Sequence, residues 1–354
     1  MNFIHGTYYH QTFNLKNRAI FISIFLGVVF IAALALKQDK QLEPSVLHMP
    51  SNQKDGVQVY TLPVIEIPEK LFFAGEEVPL QDPEVLQRID RELHINTFWH
   101  TNTILLLKRS HMWFDELSAI VKSYGIPEDF AYLPIIESDL RNVVSPRKAV
   151  GFWQLLEGTA KELGLEVAIE VDERYDPIKS THAACKFLLK SYNRMGSWTM
   201  AAATYNAGIT GVNRSIQTQQ IDSYWDLLLN EETARYVPRM IAIKLIMESP
   251  ADFGFDLEPK HLYPKEITRE VVVSTSIPNL AEWAFSQGIN YKILKRYNPW
   301  LRKNTLTVAR GKNYIIQLPV DSYWKMPDKK ILPLNTAPVE EGSEGVEDVS
   351  GEGL

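Results

Sequence analysis

Residues 127–138 read Pro127-Glu-Asp-Phe-Ala-Tyr-Leu-Pro-Ile-Ile-Glu-Ser138. Pro127 with Glu128 and Asp129 is a favourable helix start: proline pre-sets the backbone, and acids suit the positive end of the helix dipole. Phe130, Leu133 and Glu137 then recur at i, i+3 and i+7, one face of a helix. The stripe is apolar until its last member, a carboxylic acid. A carboxylate directed toward an interior loses hydration, which disfavours its charged form and raises its pKa. A general acid working near neutral pH requires that property. Taken alone, Glu137 reads first as a helix-end acid reaching solvent, the usual place for a glutamate.

The helical pattern extends on both sides. Asp82 can cap and Pro83 fits the first helical position, with Val85, Leu86, Ile89 and Leu93 at helical spacing. Ile104, Leu105, Leu107, Met112, Phe114, Leu117, Ile120 and Val121 continue an apolar face to Gly125. Asp176-Pro177 opens a helix bearing Ala184, Cys185, Leu188, Tyr192 and Met195 on one side, closed by Gly196. Ser197 can cap the next helix, which stops at Gly208. A last long helix is predicted over about Glu231 to Glu248. No β-rich run interrupts 127–253, so a mainly α, helix-on-helix domain is predicted over 81–258. Residues 264–320 change character to strand, two short helices and strand: Glu270-Val-Val-Val-Ser-Thr, Asn279 to Ser286, Tyr291 to Arg296, and Asn313 to Pro319.

The whole chain has 354 residues, 37 Lys+Arg, 43 Asp+Glu, 45% apolar residues and a formal charge of -6. These fractions are those of a folded protein of about two domains. The acids Glu340, Glu341, Glu344, Glu347, Asp348 and Glu352 account for the whole net charge, and residues 333–354 read as a disordered acidic tail. The absence of a basic stripe argues against nucleic acid as a partner. The single cysteine, Cys185, excludes an intramolecular disulfide and any multi-cysteine metal site, and its place on an apolar face makes it a core residue. No His-Glu-x-x-His, Gly-x-Ser-x-Gly or Gly-Lys-Ser/Thr loop occurs, so no metal, nucleotide or other cofactor is called for. Residues 19–36 carry no charge and would span about 27 Å as a helix, close to a bilayer core. Lys16 and Arg18 favour a cytoplasmic N-terminus (1–18) and export of the rest. The stretch reads either as an uncleaved signal anchor or as a signal peptide cut near Ala32, Ala33 and Ala35. Residues 37–80, with five prolines among polar residues, read as a tether.

Glu137 keeps distinctive company. Glu137-Ser138 is followed by Ser145-Pro-Arg-Lys-Ala-Val-Gly-Phe-Trp-Gln154, then Gly158-Thr-Ala160, Gly164-Leu165, Arg174-Tyr-Asp-Pro177, Ala202-Ala-Thr-Tyr-Asn-Ala-Gly208 and Glu232-Thr-Ala-Arg-Tyr-Val-Pro238. This series resembles the lytic transglycosylases of glycoside hydrolase family 23, which share the goose-type lysozyme fold, and within them the membrane-bound lytic murein transglycosylase D group. The resemblance spans roughly residues 110–255. It implies a lysozyme-like helical catalytic domain acting on peptidoglycan glycan strands, on the periplasmic face of a bacterial inner membrane or in the periplasm. Glu137 would be the single acid/base, protonating the bond between N-acetylmuramic acid and N-acetylglucosamine. It would then take the proton of the muramic C6 hydroxyl, which closes to a 1,6-anhydro product. Because substrate supplies the nucleophile, one carboxylate suffices where other glycosidases need two. Ser138 and Ser145 would lie near the reacting sugar, Gly151 would let backbone approach the glycan, and Gln154 would hydrogen-bond it. Tyr205 and Asn206 would flank the cleft floor, and Tyr236 would orient Glu137. Plainer readings exist for several: Tyr205 and Tyr236 as core aromatics, Gly151 and Gly208 as helix ends, Trp153 as packing. A muramidase using water, or a binding scaffold with a dead cleft, are the alternatives.

Lys148 stands where the family pattern usually has glycine, Leu156-Glu157 where Met-Pro is usual, and Thr204 where Ala is common. Residues 264–320 resemble a degenerate LysM module, a small α+β glycan-binding unit, through Ile277-Pro-Asn-Leu-Ala-Glu-Trp-Ala284, Leu294-Lys-Arg-Tyr-Asn298 and Ile315-Ile-Gln-Leu-Pro319. The usual Gly-Asp-Thr is replaced by Thr275-Ser-Ile-Pro-Asn279. If it binds glycan, it would hold the enzyme on its polymer by tethering.

Overall fold

The computed structural model describes residues 64–320 and, ahead of them, two short strands, β1 (Gln53–Lys54) and β2 (Val57–Gln58), which pair antiparallel in a separate unit. The apolar stretch 19–36 and the acidic tail 333–354 lie outside the described residues. Among the described residues no helix is long and apolar enough to cross a membrane.

From residue 65 onward the chain is mostly helical. It opens with a two-residue hairpin, β3 (Phe72–Phe73) and β4 (Glu76–Glu77). Helices α1 (Pro83–Phe98) and α2 (His100–Ser123) follow. Asp82 caps α1 by accepting from the Glu84 N–H, as its sequence predicts. A 3-10 turn (Glu128–Tyr132) leads into the short α3 (Leu133–Ser138). Then come α4 (Glu157–Glu162), α5 (Pro177–Met195), α6 (Trp198–Ala207), α7 (Ile209–Gln219), α8 (Glu231–Ala234) and α9 (Tyr236–Glu248). Asp176 caps α5 through two N–H groups, Gly196 ends it at φ 74°, and Ser197 caps α6. Cys185 is fully buried on α5 and its thiol is pushed up to about 12, which keeps it inert.

Two expectations are corrected. The tether predicted over 37–80 is too long at its C-terminal end. Leu71, Phe73 and Val78 are core residues, and Phe73 meets Phe130 edge-on at 5.5 Å between ring centres. The Glu76 carboxylate accepts from the Thr199 N–H at 3.1 Å and its hydroxyl at 2.7 Å, and from the Trp198 N–H, so it caps the free amides of α6. Prolines suggest a linker, but the apolar side chains between them had a groove to fill. The long helix predicted over 231–248 is broken at Arg235. Pro238 has no N–H to give the Ala234 carbonyl four residues back. The Tyr224 hydroxyl, 2.9 Å from the carbonyls of Thr233 and Ala234, donates there instead, and it accepts from the Val237 N–H at 3.3 Å. Arg235, inside the break, is tied at 2.5 Å to Glu92, a fully buried acid of α1.

The strand–helix–helix–strand unit forms as predicted: β5 (Thr268–Val273), α10 (Leu280–Ser286), α11 (Tyr291–Tyr297) and β6 (Tyr314–Pro319). The strands pair antiparallel from Thr268 with Pro319 to Val273 with Tyr314. Asn279 caps α10 and Asn290 caps α11.

Phe73→Ala leaves a cavity beneath Phe130 and should destabilise the domain by about 3–5 kcal/mol in chemical denaturation. A loss below about 1 kcal/mol would mean that 65–80 is a loosely held tether after all.

Candidate active site

Glu137 sits on the last turn of α3. Phe130 and Leu133 of its stripe are wholly buried. The helix stops at once, because Asp139 and Leu140 both take left-handed backbone (φ 51° and 53°). Arg109 donates to the Asp139 carbonyl at 2.6 Å, and Arg141 pairs with its carboxylate at 2.9 Å. Ser138 is buried and donates between the Pro134 carbonyl (3.0 Å) and the Phe152 carbonyl (2.9 Å), which pins α3 to the loop 143–155.

The Glu137 residue keeps part of its surface open, yet its carboxyl is largely enclosed. Burial is the dominant influence and raises its pKa to about 7. The opposing influences are the Tyr236 hydroxyl, which donates to Glu137 Oε1, and the nearby positive charge of Arg239. Glu232 adds a smaller upward push. Tyr236 is itself buried at the start of α9, and its phenol is raised well above the ordinary value, so it stays a donor. Arg239, one turn on from Tyr236, donates to the Ile136 carbonyl at 3.1 Å. Its role was not read from the sequence, although its i, i+3 spacing from Tyr236 was available.

The other predicted residues divide. Tyr205, on α6, lies close enough for the Glu137 charge to act on it, and it donates to the Trp153 carbonyl at 2.7 Å. Asn206 bonds Thr233 at 2.7 Å and Glu232 at 3.3 Å, and the Glu232 charge in turn acts on Glu137. Ser145 accepts from the Ala149 N–H at 3.0 Å and shapes a turn. Gln154 turns its amide onto its own loop, donating to the Val143 and Gly151 carbonyls at 3.2 and 2.7 Å. Gly151 is needed for a different reason from the one expected: a Cβ there would lie 1.9 Å from the Arg174 carbonyl oxygen, so protein fills the space assigned to glycan. Trp153 is fully buried and donates to Thr181 at 2.7 Å, a packing residue. Glu157 is exposed and paired with Lys161, a solvated acid. Lys148 (φ 62°) and Gln154 (φ 46°) both hold left-handed backbone, at a cost of roughly 1–2 kcal/mol each for a non-glycine residue. Lys148 therefore holds a backbone conformation that glycine would adopt without this cost. Among the described residues no group of three or more His, Cys, Asp or Glu side chains is placed to hold a metal ion.

The family model described as "Transglycosylase SLT domain" matches residues 118–228, which include Glu137, the loop 143–155 and Tyr205. Residues 118–228 are thus similar to an SLT transglycosylase domain. A second model, "Soluble lytic transglycosylase C-terminal LysM-like domain", matches residues 269–322. Tyr236 and Arg239 lie beyond the SLT match, on the helix that closes the site. Membrane-bound lytic murein transglycosylase D from two Escherichia coli strains (K12 and O6:H1) is 28% identical over 254 residues, covering 69% of this chain and 54% of each relative. The chain thus spans about half the length of those relatives. Among solved structures, the 70 kDa soluble lytic transglycosylase of Escherichia coli overlaps in part, at 21% identity and a TM-score of 0.33, covering 38% of this chain and 24% of that one.

The SLT domain carries a thermodynamic signature of this acid. Below pH 4.5 Glu137 is protonated whether folded or not. Between 4.5 and about 7 the native state keeps a proton that the unfolded chain has lost, so stability falls as pH rises. Glu137→Gln keeps an oxygen for Tyr236 and has no charge to bury. Its gain over wild type in thermal or chemical unfolding should be absent at pH 4, appear above pH 5 and reach about 1–3 kcal/mol by pH 8. A difference between the two proteins that is the same at pH 4 and pH 8 would mean that the carboxyl is hydrated.

Proposed function

We propose that the protein is a peptidoglycan lytic transglycosylase that cleaves the β-1,4 bond between N-acetylmuramic acid and N-acetylglucosamine, with Glu137 as its acid/base. The observation that carries this reading is a carboxyl raised to about 7 inside an SLT domain, with a buried phenol as its hydrogen-bond donor. Near neutrality such a group is divided between its acid and base forms, which suits one residue that must give a proton and then take one. In the first step the protonated γ-carboxyl donates to the glycosidic oxygen, and the bond to C1 of muramic acid breaks. In the second the carboxylate accepts the C6 hydroxyl proton as that oxygen bonds C1, closing the 1,6-anhydro ring. Tyr236 keeps its proton throughout and steadies the carboxylate formed in between. Ser138 holds α3 to the loop that carries Gln154, and Tyr205 holds the same loop from α6. These two act by positioning the acid relative to substrate.

The relatives described as membrane-bound support an exported protein working at the periplasmic face of the inner membrane. The uncharged residues 19–36 would be its anchor or its signal peptide. On the LysM-like unit, the groove beside Trp283, lined by Ser274, Thr275, Asn279 and Glu282, would contact glycan.

Purified protein given clean sacculi should release muropeptides with 1,6-anhydro ends by mass spectrometry, and Glu137→Gln should lower the rate at least about 100-fold. Reducing ends would make the enzyme a muramidase. Equal release by the variant would remove Glu137 from the chemistry.

Because the first step needs protonated Glu137, kcat/KM should decline as pH rises through about 7. Tyr236→Phe removes a donor that favours the ionised form. It should lower the rate and move that decline to higher pH, and a shift to lower pH would contradict the role given to Tyr236.

A further inference from the structure

A unit that only tethers an enzyme to its polymer works on a free hinge. The C-terminal module is joined otherwise. Val150 and Val171 of the helical domain belong to one apolar cluster with Leu280, Leu294 and Leu301 of the module. Backbone bonds cross the junction: Asp172 N–H donates to the Trp300 carbonyl at 2.9 Å, and Arg302 N–H to the Glu170 carbonyl at 2.7 Å. The Glu170 carboxylate accepts from the Thr305 hydroxyl and from the Thr307 N–H at 2.7 Å. Glu166 takes the Lys312 ammonium at 2.6 Å and the Tyr314 hydroxyl at 3.0 Å. The Arg302 guanidinium lies 3.8 Å from the Tyr175 ring centre.

The strip 166–176 that receives the module also grips the loop beside Glu137. Asp172 holds Arg174 through two bonds, at 2.9 and 2.7 Å, and both side chains are at most 10% exposed. Arg174 then donates at 3.3 Å to the carbonyls of Lys148 and Leu155, one near each end of that loop. Its own carbonyl fills the space left by the missing Gly151 side chain. The loop so clamped contains Lys148 and Gln154 in left-handed backbone, a shape that persists only under restraint from its surroundings.

We infer that Glu166, Glu170 and the Asp172–Arg174 pair are positioning residues through which the C-terminal module holds loop 145–155 in its working shape beside Glu137. The module thereby acts on the chemical step, apart from any grip on polymer. This rests on the reading of Glu137 as the acid.

The test uses the full chain carrying Glu166→Ala with Glu170→Ala, and separately the milder Thr305→Val, which removes one hydrogen bond to Glu170. Substrate is a short, soluble, uncrosslinked peptidoglycan fragment too small to reach a remote binding site. For the double variant kcat should fall roughly 10- to 100-fold with KM little changed, as expected when a positioned group is displaced. Amide exchange within 145–155 should quicken while that in α5 and α6 stays as in wild type. Thr305→Val should move both readouts the same way, by less. Unchanged turnover of the fragment, with faster exchange confined to 264–320, would overturn the inference. Should wild type fail to turn the fragment over, the Glu137 reading fails, and exchange in 145–155 alone then decides whether the module braces the loop.

Discussion

One carboxyl in an apolar setting, facing one buried phenol, governs the site. Burial favours the neutral form of Glu137, while the Tyr236 hydroxyl and the Arg239 charge favour the ionised one. Burial outweighs them, and the resulting balance lies near neutrality. That balance is possible because the two partners come from elements distant in the chain. α3 supplies the acid at the end of an apolar stripe, and α9 supplies the phenol at its first residue. Small displacements of either would release the balance, since a hydrogen bond weakens steeply with misalignment.

Much of the surrounding structure restrains those two elements. α3 is short and ends in two left-handed residues, so its last turn is fixed by tertiary contacts: Ser138 to the Phe152 carbonyl, Arg109 to the Asp139 carbonyl. α9 begins at a break that Pro238 imposes and Tyr224 stabilises, with Arg235 anchored to buried Glu92. A buried ion pair of this kind adds little net stability against an apolar pair of the same shape, but it specifies geometry. Loop 143–155 carries two further left-handed residues, Lys148 and Gln154, and the Asp172–Arg174 pair is its restraint. Four of the six left-handed non-glycine residues among those described lie between 139 and 154, which fits a site where shape is held at the expense of local comfort.

The parts of this arrangement that were legible in the sequence are those set by local chemistry. Asp82, Asp176, Ser197 and Asn279 announce helix starts because their side chains bond the first free amides, and they do so here. The buried stripe leading to Glu137 follows from spacing alone. What was illegible depends on partners remote in sequence. Nothing near Phe73 reveals that Phe130 awaits it, or that Glu76 caps a helix more than a hundred residues away. Gly151 looked like room for a sugar, whereas the Arg174 carbonyl occupies that room. Nor does spacing reveal that Gln154 holds a left-handed backbone and donates its amide N–H groups to its own loop. The break at Arg235 follows from Pro238, whose missing N–H outweighs a strong apolar helical pattern.

The most direct measurement is the titration of the Glu137 γ-carboxyl itself, followed by carbon NMR in protein labelled at glutamate and assigned with Glu137→Gln. The account predicts a midpoint near pH 7 that moves upward in Tyr236→Phe. A midpoint near 4.5, indifferent to Tyr236, would describe a hydrated surface acid and contradict it.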